Sequence, residues 1–194
     1  MTDLRIKRAA EILVDYSIKI KKNDYVFING DINAAPLILE VYRLVIKRGA
    51  YPITNITLPG MSYIYYKNAS DEQIKRFPEL AMYETKKANA FIAIYGESNT
   101  KELTNTNPKK IAKRQKILEP LKNERLKKKW VIFDFPTASL AQEAEMSLEE
   151  FEDYVYTATN RDWKKESKKL DKAIKIVSKG KKARIIADDT DLSL

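Results

Sequence analysis

Four short runs rich in β-branched and aromatic residues recur along this chain: "NDYVFING", "YPITNITL", "NAFIAIYG" and "KWVIFDFP". Each is separated from the next by a stretch with helical periodicity. A strand buried on both faces reads as a continuous apolar run, because neither side of it meets water. Strands alternating with helices join as βαβ units, whose right-handed crossovers leave the strands parallel and the helices on both faces. The pattern predicts an α/β, three-layer domain with a mainly parallel sheet of about five strands, spanning residues 1–194 as a single domain. The fifth strand is expected at "ARIIAD", close to the end of the chain.

Local signals place the helices. Ile6, Ala9, Ala10, Leu13, Tyr16 and Ile20 recur at helical spacing and predict one amphipathic first helix. The second helix, "AAPLILEVYRLVIKRG", carries Pro36 in its first turn, Lys47 and Arg48 in its last, and Gly49 as its stop. Between residues 62 and 88 the text reads as two or three short helical pieces, broken before Pro78. Asn107-Pro108 opens a Lys-rich helix expected to end near Glu119, ahead of Pro120. A last helix is expected from about Asp162, with Trp163, Ser167, Leu170, Ile174 and Val177 along one seam and Lys179-Gly180 at its end.

The segment "AQEAEMSLEEFEDYVY" concentrates six acidic residues in a chain whose net charge is +9. Ser147 followed three residues later by Glu150 is a capping box, and Glu149 and Glu150 fall in the first turn, where the helix dipole favours anions. Helical geometry spreads these carboxylates around an axis, so the segment reads as a helix start and not as a metal site. Asp188, Asp189 and Asp191 are closer together, but in an extended segment alternate side chains point to opposite faces.

Composition removes several chemistries. The chain has no Cys and no His, so it builds no disulfide, thiolate site, His-ligated zinc or Ser-His-Asp arrangement by itself. Its five glycines are too scattered for a dinucleotide fingerprint or a P-loop. Asn29-Gly30-Asp31 stands at the carboxyl edge of the first strand, where open α/β sheets bind ligands, although such a triplet is more often a turn. Lys109, Lys110, Lys113, Arg114 and Lys116 crowd one helix, Lys122, Arg125 and Lys127 to Lys129 follow, and Lys164, Lys165, Lys168, Lys169 and Lys172 line another. With few aromatics among them, these runs read as solvated faces; a binding module using its Lys surface for RNA or another polyanion is the alternative. Abundant Lys and Glu with only three Gln suit a chain adapted to heat. Without a signal sequence or an apolar run of membrane-spanning length, a cytoplasmic location away from membranes is expected.

Pro136-Thr137 ahead of "AQEAEMSLEEFEDYVYTATNRDW" resembles the thermophilic metallo-aminopeptidase family typified by aminopeptidases T and S. "EILVDYSIKIKKNDYVFI", "AAPLILEVYRLVIKRGAYPI" and "DTDLSL" are similar to that family's segments in the same order. The resemblance is strongest over residues 136–162. It implies the N-terminal half of an enzyme that removes N-terminal amino acids from peptides by metal-assisted hydrolysis. In that family two divalent ions, of the zinc, cobalt or manganese class, are held by Glu, His and Asp residues of a C-terminal domain with no counterpart here. The resemblance therefore implies no catalytic, cofactor or metal residue in this chain, inactivity of the chain alone, and a homodimeric parent. Pro136, Thr137 and Gln142, together with Asp188, Asp189, Thr190, Asp191 and Leu192, are the expected contacts to the catalytic domain.

Overall fold

A computed structural model describes residues 3–194. The chain divides into two compact units, residues 1–160 and 161–194.

The first unit is built on four parallel strands, β1 (Tyr25–Asp31), β2 (Tyr51–Thr57), β3 (Ala90–Tyr95) and β4 (Lys129–Asp134), in the order β2-β1-β3-β4. The α/β class with a mainly parallel sheet flanked by helices follows the sequence pattern. Val26 and Ile28 of β1 and Ala90, Ile92 and Ile94 of β3 point into one continuous core with α1 (Leu4–Glu11) and α2 (Ala35–Lys47). Phe27 and Phe91, one residue out of phase, stack at 5.5 Å with Ala88 on the opposite face. Burying both faces is what makes β1 and β3 continuously apolar.

Gly30 fixes how closely these layers approach. A Cβ there would lie 2.7 Å from the Ile94 carbonyl oxygen and 2.8 Å from Ile38 Cδ1, so no side chain fits between β3 and α2. Gly49, with φ of 72°, ends α2 in the left-handed region open to glycine.

The first helix departs from the single α-helix that its periodicity predicts. After α1 the chain widens into a π-helix over Ile12–Ile18 and turns left-handed at Lys19. Bonding at i→i+5 lines up residues five apart. Leu13, Val14 and Ile18 are buried as a result, while Tyr16 and Ile20 are only partly so.

Residues 61–87 form three short helices, α3 (Met61–Asn68), α4 (Asp71–Lys75) and α5 (Glu79–Lys87). The Lys-rich helix α6 runs Pro108–Leu126, beyond the expected stop at Glu119, with Pro120 inside it. Pro120 is exposed, and Ile117, Leu118 and Leu121 continue one partly buried side past it, so packing outweighs the lost backbone bond. Helices α7 (Ala138–Glu143) and α8 (Leu148–Thr159) complete the unit, and the Ser147–Glu150 capping box is formed in both directions.

In the second unit Asp162 caps α9 (Trp163–Val177), as its sequence indicates. The expected fifth strand forms as β5 (Arg184–Ala187), but it pairs antiparallel with β6 (Thr190–Ser193) in a separate hairpin, so the parallel sheet has four strands. A two-residue connection can return a strand only antiparallel; parallel pairing needs a crossover. Leu170, Ile174 and Val177 of the α9 seam are exposed.

Candidate functional site

The chain leaves β1 towards β2 on one side and later places β3 on the other, which makes the carboxyl ends of β1 and β3 a topological switch point. Loops diverge there and leave a crevice, the usual ligand position in open α/β sheets. A cavity of about 340 Å³ occupies this place, and Asp31, Thr57 and Tyr95, the last residues of β1 and β2 and of β3, all line it.

Its floor is held by hydrogen bonds between distant segments. Gly96 N–H donates to Asp31 Oδ2 at 2.9 Å, and Asn33 Nδ2 donates to the Gly96 carbonyl at 2.8 Å. Gly96 is buried, and a Cβ on it would lie 3.2 Å from Ala34 N and 3.3 Å from Ala34 Cβ, so glycine lets the exit of β3 lie against the short helical turn Ile32–Ala34. On the far wall the Glu102 carboxylate accepts from Gly60 N–H at 2.7 Å, joining the β2 exit to the loop after β3.

That loop, residues 96–107, is gripped from behind by the segment opening α7. Thr137 Oγ1 donates to the Glu97 carbonyl at 2.8 Å, and the Ser139 hydroxyl donates to the same oxygen. Glu143 accepts from Thr100 Oγ1 at 2.7 Å and pairs with Lys101 at 3.1 Å. These two contacts, the Thr100 hydroxyl first, lower the Glu143 pKa below the ordinary 4.5.

The residues singled out by sequence fall in two places. Pro136 is buried, Thr137 caps α7 behind the crevice, and Gln142 is exposed on that helix. Asp188, Asp189, Thr190, Asp191 and Leu192 belong to the second unit, exposed in the β5–β6 hairpin, where Asp191 forms a bidentate pair with Arg184 at 2.7 and 2.6 Å. The acidic segment is occupied by local structure. Glu150 caps, and Glu152 and Asp153 bind Arg5 at 2.8 and 2.6 Å and tie α8 to α1. Asn33, Gly96, Glu97 and Glu102 escape sequence reasoning. The Asn29-Gly30-Asp31 edge and the long polar loop "GESNTKELTNTN" are the signals that point towards them.

Several basic residues are engaged in structure as well. Lys110 Nζ donates to the Tyr66 and Ala69 carbonyls, Arg114 to those of Ile74 and Arg76, and Lys128 to that of Lys86. These cations close the carboxyl ends of α3, α4 and α5.

The sequence matches the family described as thermophilic metalloprotease (M29) over residues 2–194. The chain belongs to this thermophilic metalloprotease family. Among solved structures it is similar to wild-type AmpT from Thermus thermophilus, with 18% identity and a TM-score of 0.65. That match covers 80% of this chain and 42% of AmpT, and at such identity it speaks for the fold alone. An alcohol dehydrogenase superfamily protein from Novosphingobium aromaticivorans aligns at 15% identity and a TM-score of 0.34, over 78% of this chain and 46% of the other, too low to carry an argument. No curated protein matches the chain.

Membership of a metalloprotease family directs attention to metal donors. Among the described residues no three of His, Cys, Asp and Glu gather into a group that could hold a metal ion. With no His to contribute, the donors of this family member do not fit a metal centre of their own. No helix among the described residues is long and apolar enough to cross a membrane.

Proposed function

We propose that this member of the family acts as the N-terminal, non-ligating domain of a metal-dependent aminopeptidase and is inactive alone. The observation that carries the reading is the pairing of a family match over residues 2–194 with the absence, among the described residues, of any group of three His, Cys, Asp or Glu side chains placed to hold a metal. The chain spans 42% of the length of AmpT, so the activity belongs to this proposal and not to the likeness. The reaction is removal of the N-terminal amino acid from a peptide. It needs a water activated by divalent ions, of the zinc, cobalt or manganese class, bound to a C-terminal catalytic domain. This chain contributes structure and surface, with Pro136, Thr137 and Gln142 of the α7 segment and Asp188 to Leu192 of the hairpin as its contacts to that domain. A homodimer in the cytoplasm is the assembly and place that go with this reading.

Aminopeptidase assays on amino-acid amides and fluorogenic N-terminal substrates, with Zn²⁺, Co²⁺ or Mn²⁺ added to the folded chain, test it. No turnover is expected. Metal-dependent turnover by this chain alone would overturn the reading.

A further inference from the structure

The four-stranded sheet ends on one side at β2, an edge strand without a charged residue. The uncharged text extends from Ala50 to Tyr66, in a chain where 32% of residues are charged and the net charge is +9. Folded proteins guard such edges with charges, because the free N–H and C=O groups pair with any strand that meets them. The opposite edge, β4, begins at Lys129 and ends at Asp134, whereas β2 has only Pro52 as a guard. Tyr51 N–H donates to the Asp24 carbonyl at 2.8 Å, so the main-chain groups of Tyr51, Ile53, Asn55 and Thr57 face β1. Those of Pro52, Thr54 and Ile56 therefore face outward, and Pro52 stands where its missing N–H costs the sheet nothing.

Apolar surface lies beside this edge. Helix α2 packs on β1 and β2, and its Glu40, Leu44 and Lys47 line a groove with Lys7 and Glu11 of α1. Leu39, Tyr42 and Ile46, spaced as one helical stripe, thus occupy the flank turned away from α1, and all three are exposed. Arg43, the cation bordering the stripe, is paired with Glu40 at 3.3 Å. Ile56, which the strand register places on the α2 side of the sheet, is exposed too.

A strand that pairs here must satisfy the outward N–H groups of Thr54 and Ile56 and offer donors to the outward carbonyls. A second β2 does so. Run antiparallel about a two-fold axis at Thr54, each Thr54 exchanges both bonds with the partner's Thr54, and each Ile56 N–H donates to the partner's Pro52 carbonyl. Every outward donor of both strands is then bonded, and the N–H that Pro52 lacks leaves only an Ile56 carbonyl, at the end of the pairing where water reaches it. The same axis turns the α2 stripe of one copy towards that of the other, as a self-complementary interface requires. Charge favours this occupant as well. Two copies of a chain at +9 repel over most of their surfaces, and least where neither brings a charge. We propose that β2 pairs antiparallel with β2 of a second copy of this chain, joining the two sheets into one. The inference assigns a surface to self-association and does not depend on the peptidase reading.

Sedimentation equilibrium of the whole chain over a range of concentrations tests it, and a reversible dimer is expected. Thr54→Pro removes the two central bonds without touching a bond to β1. Thr54→Lys keeps every main-chain group and sets like charges opposite each other. Each should weaken association by roughly tenfold or more. Ile132→Lys, on the exposed side of β4, should leave it unchanged. Because the chain has no Cys, Thr54→Cys supplies a single reporter. Opposed Cα atoms of a bonded pair lie ~5.5 Å apart, within the span of a disulfide, so mild oxidation should link two copies, and Ile132→Cys should not be linked in this way. Circular dichroism shows which variants are folded; should Thr54→Pro unfold, Thr54→Lys, whose side chain is exposed, carries the comparison. A monomer at every concentration, or equal linking through Ile132→Cys, overturns the proposal. So does a dimer that the folded Thr54 variants leave intact, which would keep the homodimer of the aminopeptidase reading but move it to another surface.

Discussion

The Lys110 ammonium donates to the main-chain carbonyl of Ala69 at 3.1 Å, across 41 residues of sequence. It also reaches the Tyr66 carbonyl at 3.2 Å, and so satisfies the end of α3 from the flank of α6. Arg114, one turn on, does the same for α4 through Ile74 and Arg76, at 3.3 and 2.6 Å. A Lys-rich helix that looks solvated in sequence is thus partly a set of tethers.

Replacing Lys110 or Arg114 by Met should lower stability by about 1–2 kcal/mol each, the contribution of hydrogen bonds from a charged donor reduced by their partial exposure to water. Lys109→Ala and Lys116→Ala, which remove exposed cations on the same helix, should stay within about 0.5 kcal/mol of the parent. Urea unfolding of the four variants measures the contrast. Equal costs across them would mean that the tethers contribute nothing.

Gly30 and Gly60 should respond differently to alanine. At Gly30 the added carbon would sit 2.7 Å from a β3 backbone oxygen that cannot move without parting the sheet, so Gly30→Ala should cost about 2 kcal/mol or more. At Gly60 nothing lies within 4 Å, and only its φ of 87° resists the change, at about 1 kcal/mol. Thermal melts of the two variants should keep that order.

The parts of the fold that were legible are those fixed by neighbours in sequence. The Ser147–Glu150 box, Asn107-Pro108 and the stop at Gly49 each depend on a few consecutive residues, and all three form. The end of α6 was not legible, because whether a proline stops a helix depends on what the next turn packs against. Nor was the switch from α- to π-helix at Ile12, which follows from the side chains the core needs to bury. The crevice lay furthest from reach. Its walls join Asp31 to Gly96 and Gly60 to Glu102, 65 and 42 residues apart, and no local pattern announces such pairs. The Pro136-Thr137 segment stood out in sequence, but its grip on the Glu97 carbonyl appears only in three dimensions.

Acid should destabilise this protein, while the neutral range should leave it nearly unchanged. Asp3, whose pKa is lowered first by the Arg5 guanidinium, and Asp71, lowered by Lys113, sit below the ordinary 3.8. Glu143, lowered by Thr100 and Lys101, and Glu150, lowered by Ser147, sit below 4.5. A carboxylate with a depressed folded pKa contributes stability above its unfolded value and loses it as pH falls through the folded one. The melting temperature should therefore decline below about pH 4.5. With no His in the chain, it should vary little between about pH 6 and 8. A melting temperature that rises on acidification would contradict the pairing of these carboxylates.

Tyr156 separates ring packing from hydroxyl bonding. Its ring stacks on Phe133 at 6.4 Å and lies under the Arg5 guanidinium at 5.1 Å, with only 3% of the residue exposed. Its hydroxyl makes no hydrogen bond to a described residue, and burial holds the phenol protonated well above its ordinary pKa of 10. Tyr156→Phe keeps the ring and gives up no protein partner, so stability should change by less than about 1 kcal/mol. Tyr156→Ala empties the space between Phe133 and Arg5 and should cost about 3 kcal/mol or more. Guanidinium unfolding of both variants measures the difference. If phenylalanine costs as much as alanine, the hydroxyl holds α8 in place and the packing account is wrong.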